Sequence, residues 1–136
     1  FENDRIRYLD QTKNWIGFND YNLRILWLAL ALNTPNYNAD AAALSKELIQ
    51  YSSLDFEAST RQNALESLIG FQIIKPEVLH NLVNATTHHL WQFSKFGRDN
   101  IRKLLKDPKY RTTFEELLPV LNENEKSQLN RLLVEK

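Results

Sequence analysis

Arg61-Gln62-Asn63-Ala64-Leu65-Glu66-Ser67-Leu68-Ile69 and Arg98-Asp99-Asn100-Ile101-Arg102-Lys103-Leu104-Leu105 read as two copies of one helical pattern. An offset of 37 pairs Arg61 with Arg98 and Asn63 with Asn100. An offset of 36 pairs Leu65, Leu68 and Ile69 with Ile101, Leu104 and Leu105. Each copy follows a second apolar-spaced segment. Leu44, Leu48 and Ile49 precede the turn at Ser52 and Ser53, and Val78, Leu79, Leu82 and Val83 precede Thr86 and Thr87. Two helices per unit and a period in the high thirties predict antiparallel hairpins stacked side by side, because one hairpin cannot bury its apolar face without a neighbour. The expected fold is all-α: a right-handed superhelix of HEAT- or ARM-like hairpins with about eight helices.

Outward from that pair, the chain reads as one domain over residues 1–136, with opening helices over 4–33, repeats over 40–70 and 76–106, and a terminal hairpin over 108–135. Ile6, Leu9, Lys13 and Ile16 share a helical stripe over residues 4–16 that ends near Gly17. Asp20 is placed to cap a helix from Tyr21 to Asn33, whose centre, Ile25 to Leu32, is apolar on every side. Such a run is far short of the roughly 20 residues needed to span a bilayer. It predicts an interior helix, covered all round. Pro35 among asparagines marks a turn. Further helices are expected from Asp40 to Tyr51 and from Asp55 to Ile69, the latter closed by Gly70. Pro76 fits the first turn of the next, Trp91 to Lys106 form another, and Pro108 starts one that Pro119 ends or kinks. Asn122 followed by Glu125 predicts a capping box for the last helix, with Leu129, Leu132 and Leu133 turned inward. The core is expected to include Leu65, Leu68, Trp91, Phe93 and Leu104.

At 136 residues the chain is long enough to bury roughly two thirds of its unfolded surface. Seventeen basic and seventeen acidic residues cancel, which argues against an obligate nucleic-acid or anionic-membrane binder. There is no cysteine, hence no disulfide, thiolate ligand or thiol nucleophile. Methionine is also missing, and the opening Phe1-Glu2-Asn3-Asp4-Arg5 lacks a signal peptide's apolar core, so a piece of a longer protein is expected.

Chemistry-bearing patterns are sparse. His80 stands apart, His88 and His89 are adjacent, and no His-Glu-x-x-His occurs. Packing or hydrogen bonding at a helix junction accounts for them better than a metal that needs three or four convergent ligands. Phosphate-loop and nucleophile-elbow motifs are absent. Glu115-Glu116 and the pair Glu123 and Glu125 lie near helix starts, where they suit the helix dipole. The sharpest local feature is a basic stripe, Lys95, Arg98, Arg102 and Lys106, recurring at helical spacing. It reads as a solvated outer face or as a surface that meets an anion or an acidic partner. No catalytic and no metal-binding residue is assigned.

Arg61-Gln62-Asn63-Ala64-Leu65-Glu66-Ser67-Leu68 and Thr87-His88-His89-Leu90-Trp91-Gln92-Phe93-Ser94-Lys95-Phe96 resemble the C-terminal helical-repeat domain of zinc aminopeptidases of the aminopeptidase N type (gluzincins), the likeness covering residues 40–133. The resemblance implies an α-superhelix that packs on an upstream catalytic domain and closes off its active-site chamber. The family's zinc motif, its distal glutamate ligand and its Gly-x-Met-Glu-Asn loop do not occur here, so zinc, peptide substrates and catalysis would belong to the parent protein. A different class of function also fits these residues. In it, the chain is a helical-repeat module whose concave face binds another protein or a peptide.

Overall fold

The computed structural model describes residues 2–13, 21–34, 36–37 and 40–135. Among them are eight α-helices: α1 (Glu2–Thr12), α2 (Tyr21–Leu32), α3 (Ala41–Tyr51), α4 (Ala58–Gly70), α5 (Pro76–Ala85), α6 (Trp91–Leu104), α7 (Pro108–Leu117) and α8 (Glu123–Leu133). The protein is all-α. A 3₁₀ turn, Leu118–Val120, holds Pro119 and absorbs the break between α7 and α8. Ile16, Gly17, Asp20 and Pro35, read above as part of a helical stripe, a helix end, a cap and a turn, lie outside the described residues.

The chain divides into two compact units, Phe1–Ile73 and Ile74–Lys136. In the first, α2, α3 and α4 pack on one another and α1 lies on α2. The indole N–H of Trp27 donates to the carbonyl of Leu9 at 3.2 Å, satisfying a buried donor and tying α2 to α1. Leu9, Ile25, Leu28, Leu48, Leu65 and Leu68 form this core. The expectation that α2 is covered all round fails: Leu26 is 66 % exposed and Leu23 is half exposed. The packed helices cover the line of Ile25, Leu28 and Ala31, and the opposite line keeps its apolar side chains in water.

In the second unit, α5 is the central element, with α6, α7 and α8 against it. Its strong amphipathic pattern buries Val78, Leu79, Leu82 and Val83. Helix α6 approaches closely because Gly97 has no side chain. A Cβ there would sit 3.1 Å from the Leu82 carbonyl oxygen and 3.2 Å from Ala85 Cβ and Thr86 Cγ2. Of the expected core, Leu65, Leu68 and Phe93 are buried. Trp91 is not: as the first residue of α6 it stands 66 % exposed, two positions before Phe93 and so on the face away from the buried line of Phe93, Gly97 and Ile101. Leu104, in the last turn, is only half-buried. Helix α8 opens on the expected capping box. Asn122 Oδ1 accepts from the Glu125 amide at 2.8 Å, and Glu125 Oε1 accepts from the Asn122 amide at 3.0 Å.

The end of α4 differs from its expected form. Gly70 is the last helical residue, and Gln72, with φ 59°, takes the left-handed conformation. The amide of Ile73 bonds the Leu68 carbonyl at 2.8 Å and that of Gln72 bonds Ile69 at 3.0 Å, a Schellman closure with glutamine where glycine is preferred. A side chain in that conformation costs about 1 kcal/mol, and a helical Gly70 with open space around its Cβ position costs about 0.5–1 kcal/mol relative to alanine. Moving the glycine two positions, Gly70→Ala with Gln72→Gly, should therefore raise stability by about 1–2 kcal/mol. Thermal unfolding checks this, and an unchanged or lower midpoint would refute the closure as described.

Candidate functional site

The hairpins α3–α4 and α5–α6 are closed in the same way. Ser52 and Thr86, the C-caps of α3 and α5, are both buried, and each hydroxyl donates to the carbonyl three residues back, Ile49 or Val83, at 2.6 Å. Each cap's own carbonyl accepts from the fourth residue of the following helix: from Arg61 Nε at 3.1 Å and from Ser94 Oγ at 3.3 Å. These matching contacts lie 34 positions apart in the first helices and 33 in the second. The buried sets match in that register, Thr60, Arg61, Ala64 and Leu68 against Phe93, Ser94, Gly97 and Ile101. The sequence register of 36 to 37 was set on Arg61 and Arg98, which do different work. Arg61 is 3 % exposed, and burial pushes its guanidinium below the usual arginine range. Arg98 is half-buried and donates to the Ser94 hydroxyl.

The stripe Lys95, Arg98, Arg102 and Lys106 does lie along α6, but most of its charge is answered locally. Lys95 Nζ reaches Asp99 at 2.6 Å and Arg102 Nη1 reaches the same carboxylate at 3.1 Å. The hydrogen bond from Lys95, followed by the charges of Lys95 and Arg102, holds Asp99 below the usual carboxylate range. Arg102 also grips Glu135 with both arms of its fork, Nε at 2.9 Å and Nη2 at 3.3 Å, and that bond raises its own pKa. Lys106 is exposed and has no ion-pair partner among the described residues. It lines an open cleft of about 340 Å³ together with Arg102, Arg111 and Glu135, over a floor of Leu105 and Leu132. Arg111 spans the end of α8, its Nη2 donating to the Leu133 carbonyl at 2.7 Å.

The three histidines do not converge on one point. His88 and His89 stack at 4.4 Å, and His88 Nδ1 accepts the Leu90 amide at 3.1 Å, a junction role that leaves that nitrogen occupied. His80 Nε2 lies 3.8 Å from Glu125 Oε1, beyond hydrogen-bond range. Glu125, read above only as a capping residue, is buried and its other oxygen accepts from Asn84 Nδ2 at 2.9 Å. Sequence gave no sign of this link from α8 to α5, since 41 positions separate the partners. Among the described residues no group of three or more His, Asp or Glu side chains is placed to hold a metal ion. None of the described helices is long and apolar enough to cross a membrane.

A second polar cluster went unread in the sequence. On the first unit Arg24 meets Glu47 through Nε at 2.6 Å and Nη2 at 3.0 Å, and Tyr51 donates to the same carboxylate at 2.8 Å. The Arg24 guanidinium also lies 4.5 Å over the Trp27 ring. Burial and the bond to Glu47 push the Tyr51 hydroxyl up to about 12. At Glu47 burial works upward, but the bonds from Arg24 and Tyr51 outweigh it and leave the carboxyl below its ordinary value. Every polar atom in the cluster is spoken for, so its role is to join α2 to α3. A depressed folded pKa stabilises above the unfolded value, about 4.3, and that contribution is lost as pH falls through the folded value. Glu47→Gln should cost about 1–2 kcal/mol near neutral pH and progressively less in acid. A cost independent of pH from 7 down to 3, followed by denaturant unfolding, would contradict this.

Next to α2's exposed line, a shallow groove of about 630 Å³ runs between α2 and the end of α4, with Leu26, Leu30, Gly70 and Phe71 along it. Comparison with protein families, with curated proteins and with solved structures finds no match to this chain.

Proposed function

We propose that the chain is the non-catalytic C-terminal helical domain of a zinc metallo-aminopeptidase, its hairpins continuing a right-handed superhelix that packs on the catalytic domain and shapes access to the active site. The observation that carries this reading is the repeated hairpin closure at Ser52 and Thr86, a construction unit of stacked helical repeats. Of the segments whose sequence resembles that family, Arg61 to Leu68 lies within α4, and Thr87 to Phe96 covers the α5–α6 turn and the start of α6. The open groove beside Leu26 offers an apolar face for packing on a neighbouring domain. Zinc in the parent would activate water and polarise the scissile carbonyl. The residues described here take no step in that chemistry.

The same apolar face favours a second reading, a module that binds another protein with no peptidase attached. The natural full-length chain separates them. Under the first reading it carries a His-Glu-x-x-His upstream and binds zinc, and deleting the region 1–136 changes the ratio of kcat/KM for long over short peptides several-fold. An upstream chain without that motif, or a ratio unchanged at every peptide length, would overturn the peptidase reading.

A further inference from the structure

The open cleft at the end of α6 is lined from α6 and its C-terminal turn, from α7 and from the end of α8. Three cationic side chains, Arg102, Lys106 and Arg111, line it against one carboxylate, Glu135. That carboxylate takes the paired donors of Arg102 in the planar geometry that arginine offers to carboxylates. It belongs to an exposed residue just past the end of α8, held at the backbone by one long bond from its amide to Leu132 at 3.3 Å. Exposed ion pairs of this kind exchange with solvent at small cost. Once Glu135 swings away, the Arg102 fork and the Lys106 ammonium, which has no ion-pair partner among the described residues, face the same opening. The floor beneath them is apolar, half-buried Leu105 and buried Leu132.

We propose that this cleft binds an acidic side chain of a peptide segment, with a neighbouring apolar side chain seated on Leu105 and Leu132, and that Glu135 is a built-in competitor for the site. A carboxylate is favoured over other anions because the fork already holds one, and the leucine floor favours a peptide over a small free ion. The proposal does not rest on the peptidase reading, since every group it uses lies within Arg102 to Glu135 of this chain.

The test uses the whole chain and an acetylated, amidated peptide alternating glutamate and leucine, titrated by NMR at low and moderate salt. A glutamine counterpart and inorganic phosphate serve as further probes. The glutamate peptide should perturb Arg102, Lys106 and Leu132, and the glutamine peptide should not. E135Q should tighten binding about two- to fivefold, the range set by displacing an exposed ion pair. E77Q, which changes net charge equally at an exposed acid of α5, should not. K106Q, at an exposed unpaired position, should weaken binding without affecting the fold. Equal binding of the two peptides, an E135Q chain no tighter than E77Q, or phosphate displacing the peptide from the cleft would each overturn the proposal.

Discussion

Leu68→Ala is expected to destabilise the protein by about 2–5 kcal/mol, the range for truncating a fully buried leucine. Leu68 is completely inaccessible on α4, the helix that packs on both α2 and α3. Three carbons, Cγ and the two Cδ methyls, would be removed from a site flanked by Ala64 and Leu65, residues of the same buried line. The same residue holds the helix end through its carbonyl, which accepts the Ile73 amide at 2.8 Å. Loss of its side chain should therefore loosen the closure at Gln72 as well as the core. Hydrogen exchange of the α3 and α4 amides reads this directly. A loss under 1 kcal/mol would mean that Leu68 is not in the packed core.

Phe93→Ala should be more costly, about 3–5 kcal/mol. Phe93 is 2 % exposed, with its ring edge-on to His88 at 5.2 Å and stacked against Phe96 at 6.3 Å. One helical turn further on, Gly97 leaves no space between α6 and α5. The backbones already touch there, so the helices cannot close over the cavity and the lost contacts are not recovered. Amides of α5 and α6 should lose protection together. Retained protection in both helices would contradict the placement of Phe93 as the anchor of this hairpin.

Helix existence was legible because the apolar stripes of α3 to α8 follow a period near 3.6 and their ends carry strong punctuation, as at Pro76, Pro108 and the Asn122–Glu125 box. That α3–α4 and α5–α6 form hairpins was legible too, but the register of their matching contacts was not. Matching Arg61 with Arg98 weighted an identical residue type over the burial pattern, and the true equivalents, Arg61 and Ser94, are chemically unlike while serving the same Ser52 or Thr86 carbonyl. Trp91 was misplaced because an aromatic residue was assumed to be interior. Its position as the first residue of α6 outweighed its apolarity. Gln72 was missed since nothing in its type signals a left-handed backbone. The basic stripe was visible as spacing, whereas its partner Glu135 lies 33 positions from Arg102, and such long-range pairing leaves no periodic trace.

These helices are expected to act as scaffold and to carry no zinc chemistry of their own. Zinc content of the purified chain, measured together with hydrolysis of an aminoacyl chromogenic substrate, tests it most directly. No stoichiometric zinc and no hydrolysis are expected, since a zinc hydrolase needs about three protein ligands and a general base around one water. Here His80 and the His88–His89 pair are not gathered into such a group. Stoichiometric zinc, with peptidase activity abolished by His88→Ala, would contradict it.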